Sequence, residues 1–312
     1  MRHKRPHLQK WLALLPLSLV FLLSGCSELT VLDPKGPVGQ SQKDLIVFSL
    51  WFMLGIVVVV FALFAFMVIK YRNRPGRNDK DYDPDLHGNT AIEIVWTVIP
   101  LIIVIILSVP TVTTLFDLEK PPESSSDKEP LVIYATSADW KWFFSYPEQD
   151  IETVNYLHIP TDRAIEFRLS SADSMAALWI PQLGGQKYNM AGMENTLYLQ
   201  ADEPGTYDGR NGNFNGEGFT EQTFKVHAQE EEEFNDWVQE TQDEAPELTQ
   251  EEYDELLAPS VMDEQMTFSN THLGWVDHGT NDGRDYAIKR HRDAYQELLH
   301  LENEIKGDDK HE

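Results

Sequence analysis

One carboxylate directly precedes a long apolar segment, where it could take up or release protons. Glu93 precedes Ile94–Phe116, a run of 23 residues without a charge. A helix of that length rises about 1.5 Å per residue and crosses a hydrocarbon layer of about 30 Å. A carboxylate in the first turn of a helix is also favoured by the helix dipole alone. Glu93 is therefore either an interface carboxylate or a protonatable group that feeds a path inside the membrane.

A thiol is the second candidate group. Cys26 is the single cysteine, so no disulfide can form within the chain and no pair of its thiolates can hold a metal. A basic start, Met1–Lys10, and an uncharged run, Trp11–Leu23, lead to Leu23-Ser24-Gly25-Cys26. This order is typical of a secretory signal, and its end resembles a bacterial lipobox. We expect residues 1–25 to be a lipoprotein signal peptide and Cys26 to be the site of lipid attachment. An ordinary signal or a short anchor with an incidental Cys is the alternative.

Two predicted spans and the loop between them position Glu93. Leu45–Ile69 carries no charge and predicts the first transmembrane helix, after an outer linker at residues 26–44. Residues 92–116 predict the second, and two internal prolines favour packing of this helix against other helices. The segment between them, residues 70–91, is a cytoplasmic loop by the positive-inside rule, since it begins with Lys70, Arg72, Arg74, Arg77 and Lys80. The sequence predicts a two-pass protein of the bacterial cell membrane, with the lipid-anchored N-terminus and the large domain on the outer side.

The part of the chain after the second span is strongly acidic. From Asp117 onward, 14 Lys and Arg stand against 43 Asp and Glu, which argues against a nucleic-acid partner. Residues 117–129 form a linker by composition. Residues 130–228 favour a β-sandwich or small barrel, because seven short runs are rich in β-branched and aromatic residues: Leu131–Ala135, Trp140–Tyr146, Val154–Ile159, Ala164–Leu169, Leu178–Ile180, Asn195–Leu199 and Thr220–His227.

Helical patterns return in residues 229–312. Thr249-Gln250-Glu251-Glu252 is a capping box that opens a helix through Leu257, and Asp285–Lys306 carries a thin apolar stripe. We expect an acidic helical extension, which is either a solvated appendage or an arm that clasps another subunit. Met262–Trp275 is less polar and could pack back on the sandwich.

The residues around Glu93 resemble a known family. Glu93-Ile94-Val95-Trp96-Thr97-Val98-Ile99-Pro100 is similar to the start of the second helix in subunit II of haem-copper respiratory oxidases. The resemblance continues through Ala138–Trp142 and Ser171–Met175 and covers roughly residues 40–228. It implies a two-helix transmembrane hairpin followed by an all-β cupredoxin-like sandwich. It also implies that Glu93 lies where protons enter a pathway in subunit I.

The family's cupredoxin domain carries a dinuclear copper centre that accepts electrons from cytochrome c. Its ligands are two Cys, two His, a Met and a Glu carbonyl, a soft set suited to copper. In this chain the matching positions hold other residues: Ala176, Asn211, Asn213, Asn215, Phe219 and Gln222. All five side-chain ligands are missing. We therefore expect a sandwich without its copper site, and the pattern resembles the quinol oxidase branch.

The expected function follows from that resemblance. The complex would oxidise quinol, with menaquinol the expected species, reduce O₂ to water and pump protons. Haem and copper would belong to subunit I, and this chain would bind no cofactor and would contact subunit I, other membrane subunits, lipid and quinol, but not cytochrome c. The alternative is a membrane lipoprotein whose sandwich binds a ligand or acts as a scaffold, with no oxidase partner. Six histidines show no metal-ligand spacing and are expected to be scattered surface or satisfied residues: His158, His227, His272, His278, His291 and His300.

Overall fold

Two long helices open the described part of the chain. The computed structural model describes residues 29–72 and 88–292, so Cys26, most of the basic loop, His300 and the end of the extension lie outside the described residues. Helix α1 is Pro37–Tyr71 and helix α2 is Thr90–Asp117, and both are long and apolar enough to cross a membrane. α1 begins eight residues before the predicted span, because Pro37 occupies a first-turn position that suits proline.

The two helices approach each other only near the sandwich. In α2 partial burial is confined to Ile103, Leu107, Pro110 and Thr114, whose spacing places them on one helical face. Every described side chain of residues 53–72 and 90–102 is exposed. The hairpin therefore buries little of its own apolar surface, and its ends far from the sandwich are bare.

The residues before α1 hold the sandwich against the membrane helices. The Lys35 amide donates to the Gln182 carbonyl at 2.7 Å, and the Asp202 amide donates to the Lys35 carbonyl at 2.8 Å. Val38 is buried and belongs to the main hydrophobic core. Gly184, with φ +108°, lies against Val38 and Gly39, where an added Cβ would be 2.8 Å from Val38 Cγ1. Part of the predicted linker therefore packs against the sandwich. The polar composition of the linker did not predict this contact.

The sandwich consists of two mixed sheets. One has the strand order β11-β3-β2-β1-β5-β8 and the other β4-β10-β9-β6-β7. β1 runs parallel to β5 and β4 runs parallel to β10, while the other pairs are antiparallel. The strands are β1 Leu131–Ala138, β2 Lys141–Tyr146, β3 Ile151–Val154, β4 Tyr156–Pro160, β5 Ile165–Ser171, β6 Ala176–Ile180, β7 Gly184–Asn189, β8 Asn195–Leu199, β9 Gly205–Asn211, β10 Thr223–Gln229 and β11 Met266–Phe268.

Strand β2 shows how the molecule is layered. Its side chains alternate between the two faces of the sheet, as in any strand. Trp142 and Phe144 point into the core between the sheets and pack around Phe224, with ring centroids 5.4 and 5.0 Å away. Phe143 points the other way into a second core with Tyr253 of the extension. All six β2 residues are therefore buried.

The extension forms this second layer. It contains α3 Glu231–Glu244, α4 Gln250–Leu256 and a helical segment at residues 281–292. Thr249 caps α4 by accepting a hydrogen bond from the Glu252 amide, as its capping box predicts. β11, within Met262–Trp275, pairs with β3. The prediction of a solvated appendage is wrong for the described extension, because Phe234, Tyr253 and Leu257 are buried against the chain's own sandwich. The predicted fold class, two apolar helices, a β-sandwich and a helical extension, is confirmed.

We predict that Gly184→Ala destabilises the chain. Alanine would have to adopt the unfavourable positive φ of Gly184, and its Cβ would clash with Val38 and the Gly39 amide. The free energy of unfolding should therefore fall by about 1–3 kcal/mol. Thermal unfolding of the detergent-solubilised chain measures this change. The matched control is Gly274→Ala, where an added Cβ meets nothing within 4 Å. Equal melting temperatures of the two variants would contradict a stabilising contact between Gly184 and the start of α1.

Candidate functional site

Glu93 lies in the exposed first turn of α2. Asn89 is the N-cap, and its side chain accepts hydrogen bonds from the amides of Ala91 and Ile92 at 3.0 and 3.3 Å. The Thr97 hydroxyl donates to the Glu93 carbonyl at 2.8 Å. No ion pair or side-chain hydrogen bond engages the Glu93 carboxylate within residues 29–72 and 88–292. The carboxylate is therefore open to whatever lies beside the hairpin.

The positions that match copper ligands meet at one end of the sandwich. Ala176 opens β6 and is buried, Asn211 ends β9, and Gln222 directly precedes β10. The other three lie in the loop between β9 and β10, residues 212–222. The Ala177 amide donates to Asn211 Oδ1 at 2.9 Å, which joins β6 to this loop. The structure thus brings together positions that are up to 46 residues apart in sequence, from Ala176 to Gln222.

The Gln222 carboxamide is the centre of this cluster. Its Oε1 accepts hydrogen bonds from Nδ2 of Asn211 at 2.8 Å and from Nδ2 of Asn215 at 2.9 Å. Its Nε2 donates to the carbonyls of Ala138 at 3.3 Å and Lys141 at 3.2 Å. Gln222 is 1% exposed, so these bonds replace water completely. We call Asn211, Asn215 and Gln222 the amide cluster.

The neighbouring residues complete the loop. The Asn213 side chain donates to the Met175 carbonyl at 2.9 Å, and the Trp140 indole donates to the Asn215 carbonyl at 3.1 Å. Phe219 packs its ring against Phe214, with centroids 5.7 Å apart. Neutral amides already bonded to each other and to carbonyls offer no thiolate or imidazole, which are the ligands that copper prefers. The arrangement holds the loops at this end of the sandwich in place.

A buried polar group joins the extension to β3. Glu152 and His272 are both fully buried, and His272 Nδ1 is 2.7 Å from Glu152 Oε1. Tyr253 stacks on His272, with centroids 4.4 Å apart, and its hydroxyl lies 2.9 Å from His278 Nε2. Burial lowers the pKa of His278 to about 3, so this imidazole is neutral near pH 7.

A second polar group closes the extension over the amide cluster. Lys141 is 1% exposed, and its ammonium donates to the carbonyls of Ala258 at 2.8 Å and Ser260 at 3.1 Å. Desolvation lowers the pKa of Lys141 to about 8, despite the nearby carboxylate of Asp173. Arg290 pairs with the buried Asp173 side chain and also donates to the Leu257 carbonyl at 2.6 Å. The β1–β2 turn is therefore covered by the chain itself.

The histidines follow the sequence-based expectation only in part. Groups of three or more His, Cys, Asp or Glu that could hold a metal ion are not found in the described ranges. His158 stacks on Trp237 at 4.3 Å, and burial lowers its pKa to about 4. His272 and His278 are buried, and His272 Nε2 and His278 Nδ1 have no hydrogen-bond partner among the described residues. His272 and His278 are therefore not scattered surface residues. Each has one ring nitrogen without a hydrogen-bond partner among the described residues.

The sequence did not predict the buried pairs Glu152–His272 and Asp173–Arg290. Glu152 and His272 are 120 residues apart, and Asp173 and Arg290 are 117 apart. No local pattern predicts a contact over such a separation. The available signal was the composition of Met262–Trp275, whose low polarity pointed to burial.

Solved structures resembling this chain include two β-rich proteins. One is the periplasmic domain of subunit II of cytochrome oxidase from Bradyrhizobium japonicum, 23% identical, covering 36% of this chain and 93% of that one, with a TM-score of 0.35. Another is the Cu(I) form of a point mutant of amicyanin, 15% identical, covering 35% of this chain and 92% of that one, with a TM-score of 0.20.

The membrane part matches a family model, and the whole chain matches curated relatives. Residues 26–114 match the transmembrane domain of cytochrome c oxidase subunit II. Quinol oxidase subunit 2 of Bacillus subtilis (strain 168) is 61% identical over 93% of this chain and 89% of its own length. The protein of that name from Bacillus anthracis is 50% identical over 91% of this chain and 97% of its own length. The chain belongs to the quinol oxidase subunit 2 family.

Family membership confirms the resemblance found in the sequence and the two-span membrane region. Membership of this family supports a role in an oxidoreductase complex with partner subunits. The amide cluster therefore belongs to a chain whose relatives are named quinol oxidase subunit 2.

We predict that Gln222→Leu destabilises the sandwich. The substitution removes four hydrogen bonds and leaves buried carbonyls and amides unpartnered, so unfolding should become easier by about 2–4 kcal/mol. Thermal unfolding, together with protease cleavage within residues 212–222, reports the effect. Gln239→Leu, an identical change at an exposed site of α3, is the control. If Gln222→Leu melts with this control and resists cleavage, the amide cluster does not hold the loop.

Proposed function

We propose that this chain is the copper-free subunit II of a haem-copper quinol oxidase. The complex oxidises menaquinol, reduces O₂ to water and pumps protons. The observation that carries the proposal is the amide cluster, because hydrogen-bonded carboxamides stand at ligand positions where a mixed-valence copper pair needs thiolates. The names of relatives at 50–61% identity support the quinol as electron donor.

The chain acts through its contacts in this proposal. Haem and copper belong to subunit I, and quinol delivers electrons there without cytochrome c. The nearly bare hairpin supports this role, since lipid-exposed helices of a two-span protein gain stability by packing against partner helices. The sandwich covers the outer face of subunit I, and Cys26 carries the lipid anchor.

Glu93 is the proposed place where protons enter. Intramembrane and membrane-boundary carboxylates commonly serve proton paths. Glu93 supports this role by its exposed position at the far end of the hairpin, with no charged partner in the described segments. The basic residues that follow α1 favour the cytoplasmic side for this end.

Purification through a tag on this chain tests the proposal. We expect a haem-bearing partner to copurify and to show a haem spectrum in visible light. Copper should be present at the level of the partner alone, and electron paramagnetic resonance should show no mixed-valence copper pair. Isolation of the chain without a haem protein would instead favour a free lipoprotein scaffold, and a dinuclear copper signal would restore the cytochrome c oxidase role.

We predict that Glu93→Gln slows the oxidase. Removing a positioned proton-transfer group commonly costs about two orders of magnitude, so quinol turnover and proton uptake should fall by roughly tenfold or more. Both are measured in vesicles containing the purified complex, with an oxygen electrode and a pH dye. Asp117→Asn, at the opposite end of α2, is the control and should leave both rates unchanged. Normal proton uptake by Glu93→Gln would refute the proposed role.

A further inference from the structure

A buried histidine closes the second core, and the proposed function makes no use of it. His278 is 1% exposed, and the neighbouring Tyr253 and His272 are fully buried. The centroids of the three rings lie within 6.2 Å of one another. Histidine is the side chain whose unperturbed charge changes between pH 5 and 8, so a buried histidine can couple packing to pH.

The place of His278 suits only its neutral form. Its Nε2 lies 2.9 Å from the Tyr253 hydroxyl, while its Nδ1 is buried without a hydrogen-bond partner among the described residues. A neutral imidazole can donate from Nε2 to the Tyr253 oxygen and leave only a lone pair at Nδ1. Protonation places an N–H on both nitrogens, and the Nδ1–H would then meet neither water nor an acceptor. Burial and, after it, electrostatic repulsion from His272 and Arg290 lower the pKa of His278 to about 3.

The carboxylates near His278 are engaged with other groups. Asp277 accepts from the Gly279 amide at 2.9 Å, and Glu194, which lies against Gly279, is 4.0 Å from Arg168. A charge on His278 would therefore stay uncompensated by the described residues while the extension is packed on the sandwich. The other charged and titratable groups around it are paired: Glu152 of β3 with His272, Asp254 of α4 with Tyr286, Asp173 after β5 with Arg290, and Arg284 with Asp285.

His278 also lies where the end of the described extension meets the sandwich. Its carbonyl accepts from the Gly192 amide at 2.8 Å, in the connection between β7 and β8. Tyr253, the partner of its Nε2, packs edge-on against Phe143 of β2, with centroids 5.4 Å apart. Further along the same segment, Arg290 bonds to the Leu257 carbonyl and pairs with Asp173. Displacing His278 would therefore loosen residues 276–292 as a unit.

We propose that His278 is an acid-sensitive latch, which holds residues 276–292 on the sandwich while it is neutral and releases them when it is protonated. In the released state the imidazole regains water, so protons bind that state in preference to the packed one. The latch does not depend on an electron donor, on a metal or on a partner subunit. In the proposed orientation the sandwich lies on the side that receives pumped protons, where acidification would act on it.

The two proton affinities of His278 fix the direction of the effect. Its pKa is about 3 in the packed state and returns to the ordinary value of 6.5 on release. Packing is therefore fully favoured above pH 6.5 and weakens as the pH falls from 6.5 towards 3, by about tenfold per pH unit. At pH 5 the ratio of packed to released chains should be about thirtyfold lower than at pH 7.5.

Hydrogen–deuterium exchange of the full-length chain in detergent tests the latch. Protection factors of amides in residues 276–292 are measured from pH 7.5 to 4.5, each relative to the intrinsic exchange rate at that pH. We expect the wild type to lose protection about thirtyfold by pH 5, and reversibly. His278→Gln does not titrate in this range, and its carboxamide can still bond to the Tyr253 hydroxyl, so its protection should stay constant to pH 5. The matched control is His227→Gln, the same change at a half-buried histidine of β10 in the other sheet, which should behave as the wild type.

Three outcomes would overturn the latch. The first is constant protection of the wild type down to pH 5. The second is an equal loss in His278→Gln, because another group would then be responsible. The third is a loss in the wild type that begins only below about pH 5, since that onset belongs to carboxylates and not to a histidine.

A second variant covers a failure of the first to pack. If residues 276–292 of His278→Gln are already unprotected at pH 7.5, His278→Phe, which keeps a ring in the same core, takes its place in the comparison. The onset in the wild type needs neither variant. All of these results are read on the chain itself, so they stand whether or not a haem-bearing partner copurifies.

Discussion

One buried carboxamide holds together the end of the sandwich on which the proposed role depends. Gln222 accepts from Asn211 and Asn215 and donates to the carbonyls on either side of the β1–β2 turn. A buried amide group costs stability unless each donor and acceptor is bonded, and this one meets that condition with four partners. These bonds therefore fix the shape of the loop between β9 and β10.

The second layer of the sandwich explains why an acidic extension stays attached. Phe143 of β2 faces Tyr253 instead of water, and Phe268 and Leu257 complete that core. The apolar contacts provide the attraction, while Glu152 with His272 and Asp173 with Arg290 fix the position of the extension. Buried pairs of this kind are weak sources of stability, but breaking one partner leaves an uncompensated group. The acidic residues of the extension remain at the surface, where their mutual repulsion is screened by water and salt.

The sequence allowed prediction of elements whose signal is local. Charge-free length located both spans, and the Thr249 capping box located α4. Asn195–Leu199 was predicted with the bounds that the structure gives. β7 and β9 were missed, because GGQKYN and GTYDGRN lack a run of apolar or β-branched residues, and they are recognisable only from their pairing partners. The six positions that match copper ligands of the resembling family could be located by resemblance, but the amide cluster depends on side-chain geometry. The role of Val38 could not be seen either, because its contact with Gly184 crosses 146 residues.

Glu93 illustrates how far the chain alone determines chemistry. Glu93 lies at the exposed N-terminal turn of α2, in contact with water and beside the positive end of the helix dipole. A group that relays protons must instead be able to hold one, which requires removal of water and a suitable neighbour. The ends of α1 and α2 far from the sandwich expose every described side chain, so this chain does not supply that environment from its described residues. A partner that packs against the bare half of α2 would supply it. The same docking would bury the exposed apolar side chains of both helices, so covering the hairpin and preparing Glu93 for proton transfer would be two consequences of one interface.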